Sequence, residues 1–124
     1  MADSSAKLSN YRQAPRKVRL VADLVRGKRV DRALALLDVL PKRASEAMQK
    51  LIRSAVSNAK SGTAENLVIS KIAVNSGMVL KRHMPRARGR ASLIKKKSSH
   101  ITLELSSIKP KAQKTAPAAE ATTK

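Results

Sequence analysis

The 124-residue sequence contains no cysteine, tryptophan or phenylalanine, and Tyr11 is its single aromatic residue. Without cysteine, neither disulfide bonds nor thiolate-ligated metal sites are available. RNA-recognition motifs and OB folds stack bases on surface aromatic side chains, so the scarcity of aromatics argues against both. Any nucleic-acid contact must therefore depend mainly on phosphate charge and on shape.

Acidic residues are also scarce, because 8 Asp and Glu face 27 Lys and Arg, for a formal net charge of +19. Self-repulsion on this scale favours a polyanionic partner, with nucleic acid first. A membrane is the competing anionic surface, but no apolar run approaches the roughly eighteen residues of a spanning helix, and no basic helix carries Trp or Phe anchors. We therefore expect no membrane partner.

Catalytic motifs are missing as well. There is no nucleophile elbow, no glycine-rich phosphate loop and no paired carboxylates, and His83 and His100 have no carboxylate or cysteine nearby that would complete a metal site. We predict no enzymatic activity, no metal and no cofactor. Residues 1–10 lack the apolar run of a secretory signal, which together with the absence of cysteine favours a cytoplasmic location.

Apolar residues at helical spacing predict three helices. The first spans residues 14–26, with Pro15 in its first turn and Gly27 after its end. The second has Asp31 as N-cap and ends before Pro41, and its apolar stripe is Ala33, Leu36, Leu37 and Leu40. The third runs from about residue 42 or 44 to 60, where Ser61-Gly62 ends it. The short connection predicts that the first two helices pack side by side.

Beyond residue 65 the pattern alternates with the period of a strand, over residues 67–74 and 100–105. Residues 75–99 between them are too polar for a core and predict one long antiparallel hairpin that turns near residues 85–89. A third strand is expected around residues 7–13. We predict an α+β fold in which three helices pack on a small antiparallel sheet, as one domain over residues 1–108, with a disordered Ala/Lys/Pro-rich tail at 109–124.

The hairpin is the main candidate binding element, because no acidic residue occurs from position 66 to 103. A solvated charged loop is the alternative, but an uninterrupted arm of one charge sign favours RNA contact. The hairpin residues predicted to bind RNA are Lys81, Arg82, His83, Arg86, Arg88, Gly89, Arg90, Lys95, Lys96 and Lys97. A second basic cluster around the start of the first helix consists of Arg12, Arg16, Lys17 and Arg19, and we predict phosphate contacts there also.

Three stretches of this sequence resemble a known family: APRKVRLVADLVRGKRV at 14–30, SAVSNAK at 54–60 and LKRHMPRARGRASLIKKKSSHITLEL at 80–105. In amino-acid sequence, order and spacing, these stretches are similar to the large ribosomal subunit protein numbered twenty-two in the bacterial series. The resemblance covers residues 5–107 and leaves out the tail.

The resemblance implies a structural constituent of the large ribosomal subunit that binds 23S ribosomal RNA, contacts neighbouring ribosomal proteins and supports assembly. It also implies that the hairpin reaches the wall of the polypeptide exit tunnel. The residues at the tip, beside the nascent polypeptide, would be Met84, Pro85, Arg86, Ala87 and Arg88.

Two other functions are compatible with the charge. One is a DNA-bending architectural protein of the HU type, which also joins basic helices to long β-arms but uses an aromatic dimer core that this chain lacks. The other is a free-standing RNA chaperone or regulator.

Overall fold

The computed structural model describes residues 4–59 and 66–108. This part of the chain forms three helices and one antiparallel sheet with the strand order β1-β3-β2. The elements are β1 (Ser4–Tyr11), α1 (Pro15–Val25), α2 (Val30–Val39), α3 (Arg43–Asn58), β2 (Leu67–Pro85) and β3 (Ala91–Ser107). The predicted α+β class with a long hairpin is confirmed. The predicted tail and the predicted helix stop at Ser61-Gly62 lie outside the described residues.

The core lies between the helices and one face of the sheet. Val18, Val21 and Val25 recur at helical spacing on α1 and are buried, and α3 buries Met48 and Ile52 in the same way. Alternate residues of the central strand β3 point to this core, including the fully buried Leu103 and Leu105. Helical and strand periodicity therefore select the residues that hold the body of the protein together.

The connection between α1 and α2 is fixed to the sheet. Gly27 has φ +74°, a left-handed conformation that suits glycine after a helix end. Its N–H donates to the carbonyl of Ile69 (3.1 Å), and the N–H of Ile69 donates to the carbonyl of Lys28 (3.0 Å). The prediction that α1 and α2 pack side by side is wrong, because these bonds anchor the connection on β2, so that α1 packs mainly on β2 and α2 on α3.

The start of α2 also differs from the prediction. Arg29, not Asp31, is the N-cap residue, and no side chain caps the helix. Val30 is fully buried, so the first turn begins where that side chain enters the core, and Asp31 lies within the turn, where its charge suits the helix dipole. Leu34 packs against the core in place of the predicted Leu36.

Strand β1 is the edge strand predicted around residues 7–13, but it runs from Ser4 to Tyr11. It pairs with β3 from Ser4 to Tyr11, with a register shift between Leu8 and Tyr11, where Asn10 has φ 55°. The N–H of Asn10 donates to Nδ1 of His100 (3.0 Å). His100 thus joins β1 to the central strand at the irregular position.

Beyond the core, β2 and β3 continue as a two-stranded ribbon, residues 75–99, which we call the arm. The register shifts between Ser76 and Val79 and then runs without interruption to the pair Pro85–Ala91, which confirms the predicted hairpin and its turn. Gly77 lies at the shift, and a Cβ there would meet Oγ of Ser98 at 2.6 Å. That hydroxyl donates to the carbonyl of Met78 (2.7 Å), so a larger residue at position 77 would displace the hydroxyl and disturb this hydrogen bond.

Candidate nucleic-acid interface

The arm carries cations on both of its faces. Directly opposed residues of an antiparallel pair share a face, and successive pairs alternate between faces. One face carries Val79 with Lys97, Lys81 with Lys95, and His83 with Leu93, and the other carries Leu80 with Lys96, Arg82 with Ile94, and Met84 with Ser92. Because both faces mix cationic and apolar side chains, both suit contact with a partner.

Like charges face each other across the arm. Lys81 lies directly opposite Lys95, an arrangement that destabilises an antiparallel pair. Ion pairs elsewhere in the described residues join Arg26 to Asp23 (2.7 Å), Lys50 to Glu46 (2.8 Å) and Lys71 to Glu104 (3.3 Å). None of these pairs involves a cation of the arm, and a two-stranded ribbon is marginally stable by itself in water. A polyanion would therefore stabilise this conformation.

The tip of the arm is a single 3-10 turn over Ala87–Gly89. The N–H of Arg86 donates to the carbonyl of Arg90 (2.7 Å) and closes the turn. Gly89 has φ +69°, and Arg88 has φ 59°, a left-handed conformation that costs a non-glycine residue roughly 1–2 kcal/mol. All residues of the turn are exposed, so the tip presents arginine at a position where glycine would fit with less strain.

The second predicted cluster lies at the start of α1. Arg12, Arg16, Lys17 and Arg19 are all exposed. Arg19 also donates from Nε (3.3 Å) and from a terminal nitrogen (3.1 Å) to the carbonyl of Val74. Arg19 therefore joins α1 to β2 just below the arm. That its remaining N–H groups contact RNA stays a prediction.

The fold brings parts of the two clusters together in one cleft. The cleft has a volume of about 720 Å³ and lies between the start of α1 and the root of the arm. We call it the root cleft. Its cationic lining residues are Arg12, Lys17, Arg43, Lys96 and Lys97, and among residues 4–59 and 66–108 no acidic residue lines it. Four of the predicted residues therefore meet here: Arg12 and Lys17 of one cluster, and Lys96 and Lys97 of the other, about 80 positions later in the chain.

Arg43 was not among the predicted residues. It is the first residue of α3 and is exposed, and it reaches the cleft only because α3 packs against β1. Nothing about a single arginine after Pro41 and Lys42 in the sequence indicates that its side chain lines a cleft. Met78 and Leu80 of the cleft were also missed, since nothing in the sequence distinguishes them from other residues of a strand.

The tip does not join the cleft. From Val79, which pairs with Lys97, the arm continues for six residues to Pro85, or roughly 20 Å at the rise of an extended strand. The predicted interface thus has a cleft at its root and an exposed turn at its far end. Within residues 4–59 and 66–108, no group of His, Asp and Glu could hold a metal ion, and no helix there has the length and apolarity to span a membrane.

Comparison with known proteins gives a consistent match. The family model described as ribosomal protein L22p/L17e matches residues 6–106. A large ribosomal subunit protein uL22 of Herpetosiphon aurantiacus is 52% identical over 103 residues, which is 81% of this chain and 91% of that protein. The proteins of the same name from Trichlorobacter lovleyi and Pelobacter propionicus are 49% and 48% identical over 110 residues, covering 86% of this chain and 97% and 99% of theirs.

Proposed function

This chain belongs to the ribosomal protein L22p/L17e family of structural, non-enzymatic ribosomal components, and from that premise we propose that it binds large-subunit 23S ribosomal RNA through its arm and root cleft. Its role is that of a constituent of the large ribosomal subunit in the cytoplasm. Membership of this family also argues against a DNA-bending architectural protein.

The charge arrangement of the arm carries the proposal. Lys81 opposes Lys95, Lys96 and Lys97 follow on the same strand, and no acidic side chain lies between positions 66 and 103. A ribbon with this charge pattern repels itself unless phosphates lie against it. Cations on both faces suit an arm surrounded by RNA, since an arm lying on a surface needs them on one face.

The residues proposed to contact RNA form three groups. At the root they are Arg12, Arg16, Lys17 and Arg19 with Lys96 and Lys97. Along the ribbon they are Lys81, Arg82, His83 and Lys95. At the turn they are Arg86, Arg88, Gly89 and Arg90, where the planar guanidinium groups can grip phosphate with two N–H groups or stack on unpaired bases.

The turn has a further proposed role at the wall of the polypeptide exit tunnel. If RNA holds the flanks of the ribbon, the residues that project beyond it are Met84, Pro85, Arg86, Ala87 and Arg88. All five are exposed, and no element of the described chain covers them. A nascent polypeptide would pass beside this turn, and neighbouring ribosomal proteins would contact the helical body.

Cosedimentation tests the proposal directly. Full-length protein should migrate with large ribosomal subunits and should stay bound through a high-salt wash that removes loosely associated cationic proteins. On isolated 23S RNA, each phosphate contact should add about 0.7–0.9 to the slope of log affinity against log salt. A slope magnitude near one or two, or release from subunits at moderate salt, would contradict an interface with many phosphate contacts.

A further inference from the structure

The root cleft has the size of a site for a small molecule. Its volume of about 720 Å³ lies within the range of roughly 300–1,000 Å³ that is typical of such sites. Contact with the phosphates of a double helix needs only a cationic surface and no cavity. The cleft is therefore large enough to admit a group of the RNA and not only to lie against its phosphates.

The lining of the cleft is chemically divided. Five cationic side chains surround it, while Met78 and Leu80 supply an apolar wall, with exposed fractions of 65% and 37%. Exposed apolar side chains of this size beside cations suit a ligand that is anionic at one end and apolar at the other. A purely apolar peptide would leave the five cations without counter-charges, and a bare phosphate would leave the apolar wall uncovered.

Several planar polar groups line the same space. Arg12 and Arg43 contribute guanidinium groups, on whose planes unpaired bases stack in RNA-binding proteins. Gln13 also lines the cleft, and its Oε1 is shielded from solvent without a hydrogen-bond partner among the described residues. Such an atom carries a desolvation penalty. A rotation of the amide toward the cleft would let the amino group of a base donate to it.

The start of α1 adds a favourable field for an anion. Ala14, the N-cap residue, and Lys17 line the cleft, and no side chain caps this helix. The positive end of the helix dipole thus faces the same space as the cationic side chains, which favours a phosphate over a neutral group.

We propose that the root cleft holds a single unpaired nucleotide of the RNA, with its base against Met78 and Leu80 and its phosphates between Lys17, Arg43 and Lys96. The inference rests on the proposed RNA binding and adds to it a specific position. The cleft recognises a nucleotide whose base is not stacked on its neighbours, whereas the arm contacts the phosphate backbone of the RNA. This position would fix the root of the arm, and so its direction, when the subunit assembles.

The test removes the apolar wall and leaves every charge in place. Full-length Met78→Ala/Leu80→Ala protein is compared with wild type on 23S RNA transcribed in vitro, with Leu24→Ala/Val39→Ala as the matched control. Leu24 and Val39 are exposed apolar residues of α1 and α2, with exposed fractions of 38% and 83%, and they lie outside the cleft and the arm. Circular dichroism should show that all three proteins keep the same fold, since the substituted side chains are largely exposed.

Base-specific chemical probing is the first readout. In the wild-type complex, the Watson–Crick edge of one unpaired nucleotide should be protected, and this protection should be lost with Met78→Ala/Leu80→Ala but kept with Leu24→Ala/Val39→Ala. Affinity is the second readout: the Met78→Ala/Leu80→Ala variant should bind about fivefold more weakly, as expected from the loss of base contacts in single-strand binding, with an unchanged salt slope.

The outcomes separate this inference from the proposed function. If the Met78→Ala/Leu80→Ala variant binds RNA with wild-type affinity and leaves every protection intact, the nucleotide site is overturned while RNA binding stands. If the same variant keeps every base protection and only lowers the salt slope, the substitutions disturb phosphate contacts without touching a base, which also contradicts a base in the cleft. Failure of the wild-type protein to bind 23S RNA at all would overturn the proposed function itself.

Discussion

Reversing one charge of the arm should stabilise the arm in the free protein and weaken the binding of the protein to 23S RNA. Lys81 lies opposite Lys95, and both are exposed. Lys81→Glu replaces a repulsive cross-strand pair by an attractive one, and opposed charges on a ribbon contribute roughly 0.2–1 kcal/mol. The arm of the free variant should therefore open less often. At low salt, its amide exchange should slow by up to about fivefold while exchange in α3 stays the same.

The same substitution should reduce binding to 23S RNA. Losing one phosphate contact should lower the magnitude of the salt slope by about 0.7–0.9, which corresponds to about fivefold weaker binding near 0.1 M salt. The new carboxylate adds repulsion from the phosphates to this loss. Filter binding or fluorescence anisotropy at several salt concentrations measures the slope, and hydrogen exchange by mass spectrometry measures the arm.

Two control variants separate the causes. Lys81→Gln removes the cation without creating an attractive pair, so it should lower the salt slope equally but slow exchange less. Arg53→Glu makes the same charge reversal on α3, at an exposed residue outside the proposed interface, and should leave the slope unchanged. The reasoning is refuted if Lys81→Glu slows exchange in the free arm but binds RNA with the wild-type slope.

Three further variants test the root, the turn and the tip. Gly77→Ala places a methyl group 2.6 Å from Oγ of Ser98. This contact should destabilise the arm by about 1–3 kcal/mol, seen as faster amide exchange there, whereas the nearby Ser76→Ala should leave amide exchange in the arm unchanged. Arg88→Gly removes the strain at φ 59° and should leave the free arm at least as stable, yet lower the salt slope by about 0.7–0.9; an unchanged slope would mean that Arg88 touches no phosphate. Deleting Met84, Pro85 and Arg86 removes one proposed RNA contact, Arg86, so subunit assembly should largely survive while nascent-chain stalling changes. Loss of incorporation would contradict a role of these three residues mainly at the tunnel wall.

The main elements of the fold could be predicted because their signals are local. Apolar periodicity places α1 within one residue of its bounds at each end, and the polar stretch around Pro85 and Gly89 places the turn of the arm. The predicted start of α2 was wrong, because burial of Val30 outweighs the local capping preference of Asp31. Packing of α1 on β2 could not be predicted, since it depends on the hydrogen bonds between Gly27, Lys28 and Ile69.

The candidate site was predictable in its charge and not in its shape. Single-sign charge along the hairpin and at the start of α1 indicates which residues are available for RNA, because such charge needs a counter-charge. The root cleft depends on the register shift between Ser76 and Val79 and on the place of Arg43. These features arise from contacts between distant segments. Likewise, Arg19 reads as a surface cation, although two of its nitrogens bond to the carbonyl of Val74.

The most direct test of the proposed function is crosslinking from a photoreactive group at residue 84 in translating ribosomes. Met84 lies on the last stretch of β2 before the turn and is exposed. If RNA holds the flanks of the arm and the turn projects into the exit tunnel, a radiolabelled nascent chain of sufficient length should crosslink to this position, and the same group at Arg53 should give no such product. Labelling of solvent-side proteins alone, with no crosslink to the nascent chain, would contradict the proposal.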